Sequence, residues 1–156
     1  LKRKQDLQDF NVGMGPVPAH QHPNGGGWVA NTAFVSESAI VLPMAKVYGN
    51  AAVRHFVVIY GEARVYGEAL VSWEARIGGN ARISGNAYVS DRATVSGNAR
   101  VSGEACVTDQ SVIGGNARVS SEAKVSGHAC VSGTAYVSGT AILKGRTFVS
   151  KGHIRK

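Results

Sequence analysis

No apolar run in this chain approaches the length needed to cross a bilayer. Its start, Leu1-Lys2-Arg3-Lys4, leads into polar residues instead of a secretory apolar segment. No membrane contact is expected, and the expected location is cytoplasmic, or virion-associated for a phage-encoded chain. Acidic residues are few: ten Asp and Glu stand against 17 Lys and Arg, a formal charge of +7. Part of that excess lies in the terminal cations Lys2, Arg3, Lys4, Lys151, Arg155 and Lys156, where charge is usually just solvated. Helical periodicity is also missing. The aliphatic residues recur every six positions, which fits neither 3.6 nor 3.5 residues per turn, and Gly and Val recur where helix propensity would exclude them.

What is there is one unbroken register. Every sixth residue from Val29 to Val149, twenty-one positions in all, is Val, Ile or Leu. Four residues after each comes a small one, nearly always Ala, with Val57, Ser111 and Thr147 as substitutions. The small residue and the next aliphatic one lie two apart, so both point to one face of a short strand. Between strands stand pairs such as Gly79-Asn80, Gly97-Asn98 and Gly103-Glu104, and glycine tolerates the positive φ of a tight corner. Strand and corner in alternation make a parallel β-helix.

Three strands and three corners close one turn of 18 residues, so residues 29–150 wind nearly seven coils, a prism roughly 30 Å long. One buried Val or Ile contributes about 1.5–3 kcal/mol, against about 1–2 kcal/mol to order each residue. A lone coil is therefore unstable, and stacking and covered ends must hold the rest. The expected organisation is an N-terminal cap and loop over 1–28, the solenoid over 29–150 and a basic tail over 151–156. Residues 5–12 with Trp28 are expected to close the first coil. The only cysteines, Cys106 and Cys130, are 24 residues apart, one coil plus one face, so they fall on different faces and should not bridge.

This repeat resembles the hexapeptide-repeat proteins. Asp9-Phe10-Asn11-Val12, Gly26-Gly27-Trp28-Val29, Val47-Tyr48-Gly49-Asn50-Ala51 and Val65-Tyr66-Gly67-Glu68-Ala69 are similar to the YdcK-like branch. The resemblance implies an all-β fold, a single-stranded left-handed parallel β-helix of triangular section with about seven coils of 18 residues and an N-terminal capping segment. It also implies a homotrimer. In acyltransferases of that superfamily a histidine acts as general base between subunits and acyl-CoA runs along the solenoid.

Residues that coincide modulo 18 should stack into columns. Face one then carries Lys46, Arg64, Arg82, Arg100 and Arg118 in file, with Tyr48 and Tyr66 beside the first of them. Neighbouring cations about 5 Å apart repel by somewhat under 1 kcal/mol in water, which splayed side chains or anions relieve. The file reads either as a solvated face whose aliphatic stems cover the sheet or as a polyanion track. Nucleic acid is not the expected ligand, because aromatic interleaving stops at Tyr66.

Face two carries Phe34, Ala52, Leu70, Tyr88, Cys106, Lys124 and Ile142; face three carries Ile40, Val58, Arg76, Thr94, Val112, Cys130 and Phe148. Both are far less charged than face one, and contiguous exposed apolar area marks an interface. Of seven corners after face one, five begin with Gly, as do five after face three; between faces two and three only Gly127 and Gly145 do. That edge shows His55, Phe56, Trp73, Glu74, Asp91, Arg92, Asp109, His128 and Arg146 instead. Closed cyclic symmetry would bury this strip three times, with Phe34, Leu70, Tyr88, Ile40, Val58, Phe56 and Trp73 packing and Asp91, Arg92, Asp109 and Arg146 forming intersubunit pairs.

His128 and His55 are the candidate bases for acyl transfer from acetyl-CoA or another acyl-CoA, with Glu74 or Asp109 as orienting partners. They stand about four coils, roughly 20 Å, apart and cannot share one site. Against this chemistry, no hexad from Val29 to Val149 carries the inserted loop usual in such enzymes, and only Ile77-Gly78 and Ile113-Gly114 show their Ile-Gly pair. His20 and His22 can offer two imidazoles to a metal, which is fewer than a site needs. Three functions stand open: a non-catalytic trimeric solenoid that offers surfaces to protein, which the edge favours; an acyltransferase; and a polyanion-binding module.

Overall fold

The computed structural model describes residues 6–13 and 15–156. Lys2, Arg3 and Lys4 of the basic start, and residue 5 of the expected cap, lie outside the described residues. Strands β1 (Leu7–Gln8), β2 (Val17–Gln21) and β3 (Trp28–Ala30) form an antiparallel ribbon. Twenty strands, β4 (Phe34–Val35) to β23 (Phe148–Val149), follow at six-residue intervals, and β24 (His153–Arg155) comes after them. Every third strand pairs in parallel, so face one becomes a ten-stranded sheet and faces two and three become seven-stranded sheets. Among the described residues no helix is long and apolar enough to cross a membrane.

The pairing register is eighteen residues throughout the solenoid, as in Arg82 opposite Arg100 and Ile83 opposite Val101. Inward positions carry the repeat's aliphatic residues, and each one from Val41 to Val137 is 0% exposed. Ser111, which stands in an alanine position, is equally buried, and its hydroxyl is satisfied by donating to the Thr108 carbonyl at 2.7 Å. The backbone of each coil donates to the next: Arg82 N–H to Ala99 O at 3.0 Å, Ser84 N–H to Val101 O at 3.0 Å, Asn98 N–H to Gly115 O at 2.7 Å. Core and hydrogen bonds are thus both shared between coils, which is why no coil is a stable unit alone.

The ends depart from the repeat. At the N-terminal end Phe10 is 1% exposed and stacks on Tyr48 with ring centroids 4.8 Å apart. Ala30, one coil before Tyr48 in the same column, has no ring and leaves that place to Phe10. The Pro/Gly/His-rich segment covers the edge strand β5 (Ile40–Val41): Gly27 N–H donates to Val41 O at 2.8 Å, Val41 N–H to Asn24 O at 3.1 Å, and a ring nitrogen of His22 bonds Ala39 O at 2.8 Å. Phe10 and Trp28 pack together with the outer face, and the 22–27 segment is what covers the first coil on face three.

Past Val149 the register slips by one. Strand β24 pairs with β21 (Tyr136–Ser138), setting Val137 opposite Ile154 where an eighteen-residue step would have set Arg155. The slip turns Ile154 onto the core and leaves Arg155 exposed. Residues 153–155 therefore extend the face-one sheet.

Candidate functional site

Six described residues other than Gly have positive φ, and four of them lie one above another on the edge between faces two and three: His55 at 64°, Trp73 at 61°, Asp91 at 61° and Asp109 at 60°. A left-handed conformation costs a non-glycine residue about 1–3 kcal/mol, and a bulky one is a clear outlier. The local compensations are visible. The His55 and Trp73 rings stack at 4.2 Å with planes 6° apart. The His55 carbonyl accepts from the hydroxyls of Ser36 at 3.0 Å and Ser38 at 2.7 Å. Asp91 Oδ2 accepts the Asp109 N–H at 3.3 Å, and Asp109 Oδ2 accepts the Gly127 N–H at 2.8 Å.

Arg92 Nε lies 3.2 Å from Glu74 Oε2. Shallow grooves flank this pair, one of about 340 Å³ lined by Trp73, Asp91, Asp109 and Gln110, the other of about 570 Å³ lined by Phe56, Val58, Arg76 and Thr94. Three of the four charges expected in intersubunit pairs, Asp91, Arg92 and Asp109, thus have partners within the chain. The apolar members stay open to solvent: Phe34 is 54% exposed, Phe56 66% and Trp73 52%. Leu70, Tyr88, Ile40 and Val58 are half-buried beside them. The face-two column holds in register from Phe34 through Ala52, Leu70, Tyr88, Cys106 and Lys124 to Ile142.

The candidate bases differ in setting. His128 is exposed, while the Nδ1 atom of His55 is buried without a hydrogen-bond partner. Gly78, which matched the Ile-Gly pair, has another reason to lack a side chain: a Cβ there would enter the Tyr60 ring. His20 and His22 bond Asn31 and Ala39 O respectively, and among the described residues no three His, Cys, Asp or Glu side chains gather as a metal would require. Cys106 and Cys130 are both free. Burial pushes the Cys106 thiol up, and Lys124 partly opposes the shift.

On face one Lys46, Arg64, Arg82, Arg100 and Arg118 stand in consecutive register. Tyr48 is 6% exposed and held between Phe10 and Tyr66, its ring parallel to that of Tyr66 within 1°. Burial raises its phenol above the usual value, with Arg64 pulling it back down. Next to the arginines runs a ladder that the sequence reading missed: Asn80 Nδ2 donates to Asn98 Oδ1 at 3.2 Å and Asn98 Nδ2 to Asn116 Oδ1 at 3.1 Å. The signal was available, since the three asparagines coincide modulo 18.

Stacked three-stranded coils of eighteen residues define a triangular β-solenoid. The family model described as YdcK Beta solenoid repeat matches residues 75–91 and 87–103, two overlapping stretches about one coil long in the middle of the prism, and the chain is similar to that repeat there. No curated protein and no solved structure matches the chain.

Proposed function

We propose that this chain is a non-catalytic protein-binding solenoid that self-associates as a trimer through the edge between its second and third faces. The observation that carries the reading is the exposure of Phe34, Phe56 and Trp73, each more than half open to solvent along face two and its edge with face three, with Trp73 held at a φ of 61° that glycine would meet most cheaply. Solvent gives such rings no reason to be there, whereas a dry contact does. A strip seven coils long, roughly 30 Å, also has the reach of an ordinary interface.

The acyl-transfer reading draws less support. Among the described residues the Nδ1 atom of His55 is buried without a hydrogen-bond partner and His128 is an exposed corner residue, so neither shows the oriented imidazole that a general base requires.

The test is molar mass by light scattering. Wild type is expected at three chains per particle and Phe56→Glu plus Trp73→Glu at one, with the far-ultraviolet spectrum unchanged; a monomeric wild type would overturn the proposal. Acetyl transfer from acetyl-CoA that disappears in His128→Ala would instead establish the enzyme.

A further inference from the structure

The cations of face one form the other organised surface of this molecule, and among the described residues none of them is in an ion pair within 4.0 Å. Among the described residues the one ion pair within 4.0 Å is Arg92 with Glu74, on a different edge. Yet Glu62, Glu68, Glu104 and Glu122 all stand at the corners bordering face one, so carboxylates are near and the guanidinium groups do not take them. Arg82, Arg100 and Arg118 are exposed, and each is in register with the next at the coil spacing of about 4.8 Å.

The asparagine ladder adds donors alongside. Each amide has two N–H groups, and the ladder uses one, so Asn80 and Asn98 each keep a second proton free. Arg64, Arg82, Arg100, Asn80 and Asn98, with Glu62, line one groove of about 290 Å³. The result is a straight, rigid strip of donors, with a cation on each rung from Lys46 to Arg118 and the carboxylates set at the corners on either side.

A ligand that fits must be linear, extended and anionic at short, regular intervals. Single-stranded nucleic acid needs open aromatic platforms on which bases stack. The tyrosines beside the file do not supply them, because Tyr48 is enclosed by Phe10 and Tyr66 lies flat against Tyr48; the one open ring in the file, Tyr136 on the rung after Arg118, is stacked on His153 and stands alone at its end. A folded protein would want an apolar anchor, and Arg82 to Arg118 present none. We propose that face one binds an acidic polysaccharide, one bearing sulfate or carboxylate groups along an extended chain, through Arg82, Arg100 and Arg118 and the free amide protons of Asn80 and Asn98. Face one lies opposite the edge assigned to self-association, so the site does not depend on that assignment.

The experiment is titration of the full chain with heparin, with polygalacturonate and with a single-stranded oligothymidine of matched charge, at several salt concentrations from low to physiological. Binding of heparin or polygalacturonate is expected, weakening as salt rises. Arg82→Gln plus Arg100→Gln is expected to cost about tenfold in affinity and to reduce the salt slope by about two. Arg82→Lys plus Arg100→Lys is expected to keep the slope and lose a smaller part of the affinity, since charge survives and the guanidinium fork does not. Lys151→Gln plus Lys156→Gln is expected to bind like wild type. The proposal fails if neither polysaccharide binds at low salt, if the arginine variants bind unchanged, or if the oligothymidine binds more tightly through the same arginines.

Discussion

At the edge after face three, Gly61, Gly79, Gly97, Gly115 and Gly133 turn the chain with φ between 58° and 63°; at the edge between faces two and three, His55, Trp73, Asp91 and Asp109 make the same turn with φ between 60° and 64°. The backbone task is one and the same, and only the side chains differ. Glycine meets it without cost, so a large or charged residue there needs a reason beyond the turn. For the two aspartates the reason is found inside the chain, in the N–H groups that their carboxylates accept from the coil below. For Trp73 the stack on His55 still leaves the ring 52% exposed, which is what directs the functional reading outward.

Four substitutions test this contrast. Gly97→Val should have the largest effect: φ is +63°, and a Cβ would sit 2.8 Å from the Gly115 carbonyl oxygen, so left-handed strain and overpacking act together. A loss of about 3 kcal/mol in urea unfolding is expected. Asp109→Ala should cost about 1 kcal/mol by removing the 2.8 Å bond to Gly127 N–H, and Asp91→Ala less, because its bond to Asp109 N–H is 3.3 Å. Equal losses from both would show that the carboxylates do not act through those bonds. Trp73→Gly should change unfolding free energy by less than about 1 kcal/mol, since relief of backbone strain offsets the lost stack on His55. The same variant should nonetheless dissociate the particle in light scattering. A variant that unfolds readily but still self-associates would reverse the roles assigned to the two edges.

The interior of this molecule was almost wholly legible, because a period of six with alternating small and aliphatic residues sets short strands three to a coil, and the strands from β4 to β23 fall where the aliphatic positions put them. Columns were legible for the same reason. What was not legible depends on encounters across the surface. Nothing in a list of residues says that Asp91 and Asp109 spend their carboxylates on backbone N–H groups, or that Arg92 finds Glu74. The final slip was hidden because the eighteen-residue count places Arg155 inward, whereas burial of Ile154 is worth more than keeping the count. The segment from His22 to Gly27 reads as a plain loop until Val41 is seen to need hydrogen-bond partners that no earlier coil supplies.

Because each coil meets only the coil before it and the coil after it, the rod's length is an editable quantity. Excising or duplicating eighteen consecutive residues within the middle coils rejoins chemically matching seams and shortens or lengthens the particle by one rung. Excising six would leave the interior equally well filled while rotating everything downstream by a third of a turn, carrying the arginines beyond the cut onto a neighbouring side and breaking the file in two. The same interior would then display a differently wired exterior, so what the core tolerates and what the surface tolerates are measured by different deletions.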